Sequence, residues 1–85
     1  MNQAILFPDR ERWDEGQACI YFPVLLNGVC IECSVKRSWF VHQGLAEPDS
    51  SQSTLDLFKA CRFDVEEAIE HYYRRNTDSE PLSLI

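Results

Sequence analysis

Asn27-Gly28 separates two apolar runs, Ala18–Leu26 and Val29–Val35, and no other dipeptide limits the fold as strongly. Both central residues of a type I′ turn need positive φ, and Asn-Gly supplies that conformation at low steric cost. Pairing through this turn sets Leu26 opposite Val29, Val24 opposite Ile31, Phe22 opposite Cys33 and Ile20 opposite Val35. One face of the hairpin is then uniformly apolar. The other carries Cys19, Tyr21, Pro23, Leu25, Cys30, Glu32 and Ser34. Agreement between turn register and alternation is what a sheet covered on one side requires. Pro23 has no N–H to give a neighbouring strand, so a free edge or a bulge is expected beside it.

Before the hairpin, Ala4–Phe7 reads as a brief edge strand ended by Pro8-Asp9. The following "PDRERWDEGQ" is polar and turn-rich, with Trp13 alone in it. After the hairpin the period changes. Ser38–Leu45 offers one or two helical turns, with Ser38 as N-cap and Gly44 as the stop, and "AEPDSSQS" is a loop by composition. A second helix follows, with Ser53 as N-cap and Leu55, Phe58 and Cys61 on one side. In the last helix Asp64 and Glu67 make a capping-box-like pair. Val65, Ala68, Ile69, Tyr72 and Tyr73 then fall at i, i+3, i+4, i+7 and i+8, a core stripe. The stretch from Asn76 has no period and is expected to be loose. Strands first and helices second predict an α+β fold. The expected architecture is a small antiparallel sheet of about three strands covered on one face by two or three C-terminal helices. The 85 residues suffice for one domain, read as residues 1–75 with 76–85 as a tail.

Cys30 and Cys33 have the spacing of a C-x-x-C site. In a strand, however, side chains three apart point to opposite faces. Cys19 lies opposite Lys36, about 20 Å along the strand from Cys30, and Cys61 belongs to a helix facing the core. Four thiols on separate surfaces do not converge on a tetrahedral ion. No metal or cofactor is therefore expected. No Gly-rich phosphate loop, G-x-S-x-G or H-E-x-x-H occurs, so no catalytic constellation is visible.

Fourteen acidic against eight basic residues give a net charge of −6. That balance disfavours nucleic acid and anionic membrane, which need clustered Lys and Arg. No window reaches the apolar length of a membrane span. The first residues, "MNQAILFPDRERW", lack a basic segment and an apolar core, so no secretory signal is read and the cytoplasm is the expected compartment. The remaining candidates for contact are aromatic and apolar. Trp13 sits in a polar loop, where it either folds over the sheet edge or contacts a partner. Tyr21 and Leu25 lie on the outer hairpin face, where an apolar patch would mark a partner surface.

Three stretches, "MNQAILFPDRERWDE", "FPVLLNG" with a downstream Cys, and "LFKACRFDVEEA", resemble a family of short bacterial proteins, domain-of-unknown-function family 1488. The similarity spans about residues 1–75. It implies a small α+β fold in a bacterial cytoplasm and no transferable activity. Arg62-Phe63-Asp64 stands where similar proteins often have Arg-Trp-Asp. The favoured expectation is a non-enzymatic accessory or protein-interaction module, monomeric or weakly dimeric, with an unidentified protein partner. The alternatives are a small-molecule or anion site beneath the helices with Arg62 as anchor, and a cysteine-based metal or redox site.

Overall fold

Asn27 and Gly28 both have positive φ, 53° and 85°, and their turn joins β3 (Cys19–Leu26) to β4 (Val29–Lys36). The computed structural model describes residues 5–76 and 80–85 of the chain. Every β3–β4 pair, from Leu26 with Val29 to Cys19 with Lys36, has the register expected from the turn. On the inner face Ile20, Phe22, Val24, Leu26, Ile31, Cys33 and Val35 are buried. Val29 keeps the same parity but lies at the hairpin tip and is 56% exposed.

The sheet has more strands than the three expected. β1 (Ile5–Leu6) and β2 (Arg12–Asp14) both pair antiparallel with β3, at its two ends. Ala4, assigned to the first strand from sequence, lies outside the described residues. Between the two partners β3 has a gap, and Pro23 falls in it. The ladder alternation turns the Pro23 nitrogen away from β4 toward that gap, where no donor is needed. β2 escapes a sequence reading because a three-residue strand with one apolar side chain shows no period. A tight reversal brings it back onto β3, with Ala18 at φ 52° and Gln17 N–H donating to Asp14.

The C-terminal stretch also corrects an expectation. Its last residues form β5 (Ser83–Leu84), which pairs parallel with Ser34 and Val35, so the sheet is mixed. The buried Tyr73 hydroxyl donates to the Glu80 carbonyl, and Ser34 N–H donates to the Leu82 carbonyl. These bonds fix a segment too short to show a period of its own. Residues 77–79 of the expected loose tail lie outside the described residues.

Three helices cover the inner face: α1 (Arg37–His42), α2 (Ser51–Ala60) and α3 (Arg62–Arg75). α1 follows β4 directly, with Lys36 rather than Ser38 at its N-cap. It stops at Gly44, φ 85°, where Gly44 N–H reaches the Val41 carbonyl and Leu45 N–H the Phe40 carbonyl, a Schellman arrangement. α2 starts at Ser50 rather than Ser53. Both hydroxyls serve a capping box, each accepting from the other residue's backbone N–H at 3.0 Å. In a serine-rich run, the hydroxyl with a reciprocal partner three residues on takes the cap. α3 begins before Asp64. Cys61 links the two helices, and its carbonyl already receives N–H from Asp64 and Val65. Asp64 makes no capping bond there; its charge sits in the first turn, favourable to the dipole. Val65, Ile69 and Tyr73 of the predicted stripe are buried, and Ala68 and Tyr72 pack on its shoulder. Phe58 of α2 meets Phe22 of the sheet at 5.4 Å between ring centroids.

The turn carries a direct test. A Cβ on Gly28 would touch nothing within 4 Å, so the cost of a side chain there is backbone strain alone. Gly28→Val is expected to destabilise by about 1–2 kcal/mol in a urea melt. Wild-type stability would mean that this turn does not set the register.

Candidate functional site

Arg62, at the start of α3, reaches back to the N-terminal segment. Its Nη2 donates to the carbonyls of Phe7 (3.0 Å) and Pro8 (3.2 Å), and its Nε to Glu66 (2.9 Å). Nη1 lies 3.4 Å from Asp9 and 3.6 Å from the Glu11 carboxylate, whose side chain is 7% exposed. The guanidinium also sits 5.7 Å from the centroid of Phe58. All three nitrogens are thus engaged within the chain. This arginine latches the segment between β1 and β2 onto the helical layer.

The other three sequence candidates divide between the two faces of the sheet. Trp13 points inward from β2 and packs against the core, with the Arg37 guanidinium 4.7 Å from its ring. Its indole N–H donates to Glu15. Arg37 in turn donates to Thr54 in α2 (3.1 Å), so Trp13 closes a junction between sheet edge and helices. Tyr21 and Leu25 are half-buried on the outer face, opposite the one that packs with the helical core residues. Arg12 lies over the Tyr21 ring at 4.8 Å and pairs with Glu32. Leu6, paired with Leu25, is 61% exposed. The structure therefore places Tyr21 and Leu25 on the same face, at opposite ends of β3, and Trp13 and Arg62 elsewhere.

The four thiols are dispersed. Cys33 is fully buried with its sulfur 3.6 Å from the Tyr73 hydroxyl, while Cys30, three residues before it, is exposed on the opposite face. Burial, the largest cause, raises the pKa of Cys19 and of Cys61; the carboxylate of Asp14 acts in the same direction on Cys19, and that of Asp64 on Cys61. The Tyr21 phenol is also raised, first by the charge Cys19 carries when ionised, then by burial. Among the described residues, no three His, Cys, Asp or Glu side chains are placed to hold a metal ion.

A further surface lies where α1 and α3 diverge. A groove of about 380 Å³ is lined by Trp39, Gln43, Asp64, Glu67, Ala68 and His71. Asp64, Glu67 and His71 fall at i, i+3 and i+7 on one side of α3, facing the rim of Trp39. One turn before Glu67, Phe63 is 86% exposed, next in sequence to Asp64 but not itself among the residues that line the groove. From sequence, Asp64 and Glu67 have only a capping role and Phe63 has none. A signal was nonetheless present. Phe63 lies two residues from Val65, about 200° around the helix from the core stripe, and is therefore an aromatic on the polar side.

A mixed five-stranded sheet carrying three helices on one face defines a small α+β protein. The family model for a protein of unknown function (DUF1488) matches residues 5–84, and the chain belongs to that family. It is 35% identical over 80 residues to the uncharacterized protein YrdB of Escherichia coli K12, a match covering 94% of this chain and 92% of that protein. With YrdB of Shigella flexneri the identity is 34% over the same shares. The crystal structure of a DUF1488-family protein of unknown function from Shewanella loihica PV-4, at 1.60 Å, superposes with a TM-score of 0.81 and 26% identity. That match covers 99% of this chain and 96% of the other.

Removing the latch has a predictable cost. Arg62→Ala strands the buried Glu11 carboxylate and frees two carbonyls, and is expected to lower stability by about 2–3 kcal/mol. Arg62→Lys should recover less than half of it, because a single ammonium cannot span the fork's acceptors. Paired denaturant melts measure both, and a neutral Arg62→Ala would show that the latch does not hold the segment.

Proposed function

We propose that this protein is a non-enzymatic interaction module of the bacterial cytoplasm that docks a partner protein across the α1–α3 groove. The observation that carries the reading is Phe63. Burying a phenylalanine side chain is worth about 1.5–3 kcal/mol, and this one is left 86% exposed one turn before Glu67, which lines the groove. Contact with a partner would recover that energy. The groove favours a segment offering an apolar group to Phe63 and a basic side chain to Asp64 and Glu67, with the Trp39 edge beneath. The chain's net charge of −6 supports a basic partner.

A non-enzymatic role is supported by the scattered thiols, since burial raises Cys19 and Cys61 in the direction opposite to nucleophilic activation. An anion site at Arg62 has less support, because its nitrogens are engaged by Phe7, Pro8, Asp9 and Glu66. No helix among the described residues is long and apolar enough to cross a membrane.

Affinity capture from a native-host lysate tests the proposal with three baits: wild type, Phe63→Ser and Glu67→Lys. A defined protein should be retained by wild type and lost with both variants. Identical retention by all three baits would remove the groove as the docking surface.

A further inference from the structure

We propose that the outer face of the sheet is a self-association surface, and that its occupant is a second copy of this chain. The argument begins with charge. Arg12, Asp14, Glu32 and Lys36 are the charged residues that register places on this face, opposite Tyr21, Cys19, Pro23 and Cys19. They balance, so the whole net charge of −6 resides elsewhere on the chain. The three helices balance as well, Asp56, Asp64, Glu66, Glu67 and Glu70 against Arg37, Lys59, Arg62, Arg74 and Arg75, so the excess lies in the connecting segments, with Asp9, Glu11, Glu15, Glu47 and Asp49. Two copies, each of net charge −6, therefore meet with little repulsion sheet to sheet, because the excess charge lies off this face.

The chemistry of the face fits the same occupant. Its far end, around Cys19, is roofed by the chain's own side chains and is 2% exposed at that residue. Its hairpin end lies open, with Leu6 61% exposed, Cys30 exposed and Leu25 half-buried between them. The Arg12–Glu32 pair borders this apolar strip, with both side chains more than half exposed. One cation beside one anion makes a self-complementary border, because a two-fold axis sets Arg12 of each copy against Glu32 of the other. Counting its roofed end, the face is about three strands wide and eight residues long, roughly 15 by 27 Å, so roughly 400 Å² per copy is an upper limit. The total, at most about 800 Å², is no more than half that of a standard interface. The dimer is accordingly weak and concentration-dependent. This surface is separate from the α1–α3 groove, and neither proposal rests on the other.

Sedimentation analysis of the full chain under reducing conditions, from low micromolar to millimolar, tests the inference. The wild-type average mass should rise toward twice the monomer value. Leu25→Lys, and independently Cys30→Lys at an exposed position, should weaken association by about tenfold or more. Phe63→Ser should associate as wild type. Circular dichroism melts identify any variant that has failed to fold, and the exposed Cys30 site keeps the test decisive if Leu25→Lys does. A wild-type mass that stays monomeric to millimolar overturns the inference. So does undiminished association of the folded Lys variants, or loss of association in Phe63→Ser.

Discussion

Positive φ at Asn27 and Gly28 ties the phase of β3 to that of β4, and the other elements are placed by the apolar face this creates. A slip of one residue would move Phe22, Val24 and Ile31 to solvent and bring Tyr21, Pro23 and Glu32 inside. With the register held, a continuous apolar surface runs from Ile20 to Leu26 on one strand and from Ile31 to Val35 on the other. An isolated hairpin of this kind is marginal in water and has to be covered. Phe58, Val65, Ile69 and Tyr73 do so from α2 and α3, and Phe40 from α1.

Polar contacts then attach the ends of the chain to that core. Arg62 holds the N-terminal segment through two carbonyls and the carboxylates of Asp9 and Glu11. Tyr73 holds the C-terminal one through Glu80 O, with the Cys33 sulfur alongside. Both anchors lie on α3, so a single helix packs the core and ties down both flanks. Its remaining side, with Phe63, Asp64, Glu67 and His71, faces solvent. This division of labour along one helix leaves residues there whose presence the fold itself does not explain.

Features set by period or by a turn residue were legible in the sequence: the hairpin register, the opposition of Cys30 to Cys33, the stripe from Val65 to Tyr73, and Gly44 at the end of α1. Features set by a few distant contacts were not. β2 rests on the pairing of three residues with β3, and β5 on two with β4. Helix starts were misplaced where several polar residues competed. Ser50 displaced Ser53 through a reciprocal bond, and Asp64 lost the cap because Cys61 alone connects α2 to α3. Of the candidate contact residues, Tyr21 and Leu25 lie on the outer face at opposite ends of β3, while Trp13 and Arg62 are engaged in joining the edge of the sheet to the helices. Phe63 was readable from its phase, but the groove needs the position of Trp39 in α1, which no local pattern encodes.

The claim that α3 presents a partner surface is tested most directly by photo-crosslinking in the native host. A benzophenone-bearing residue would replace Phe63, with Leu6 on the outer face of the sheet replaced as the control. A discrete adduct of defined mass from position 63, absent from position 6, is the predicted result. No adduct at position 63, or the same products from both positions, would contradict the account.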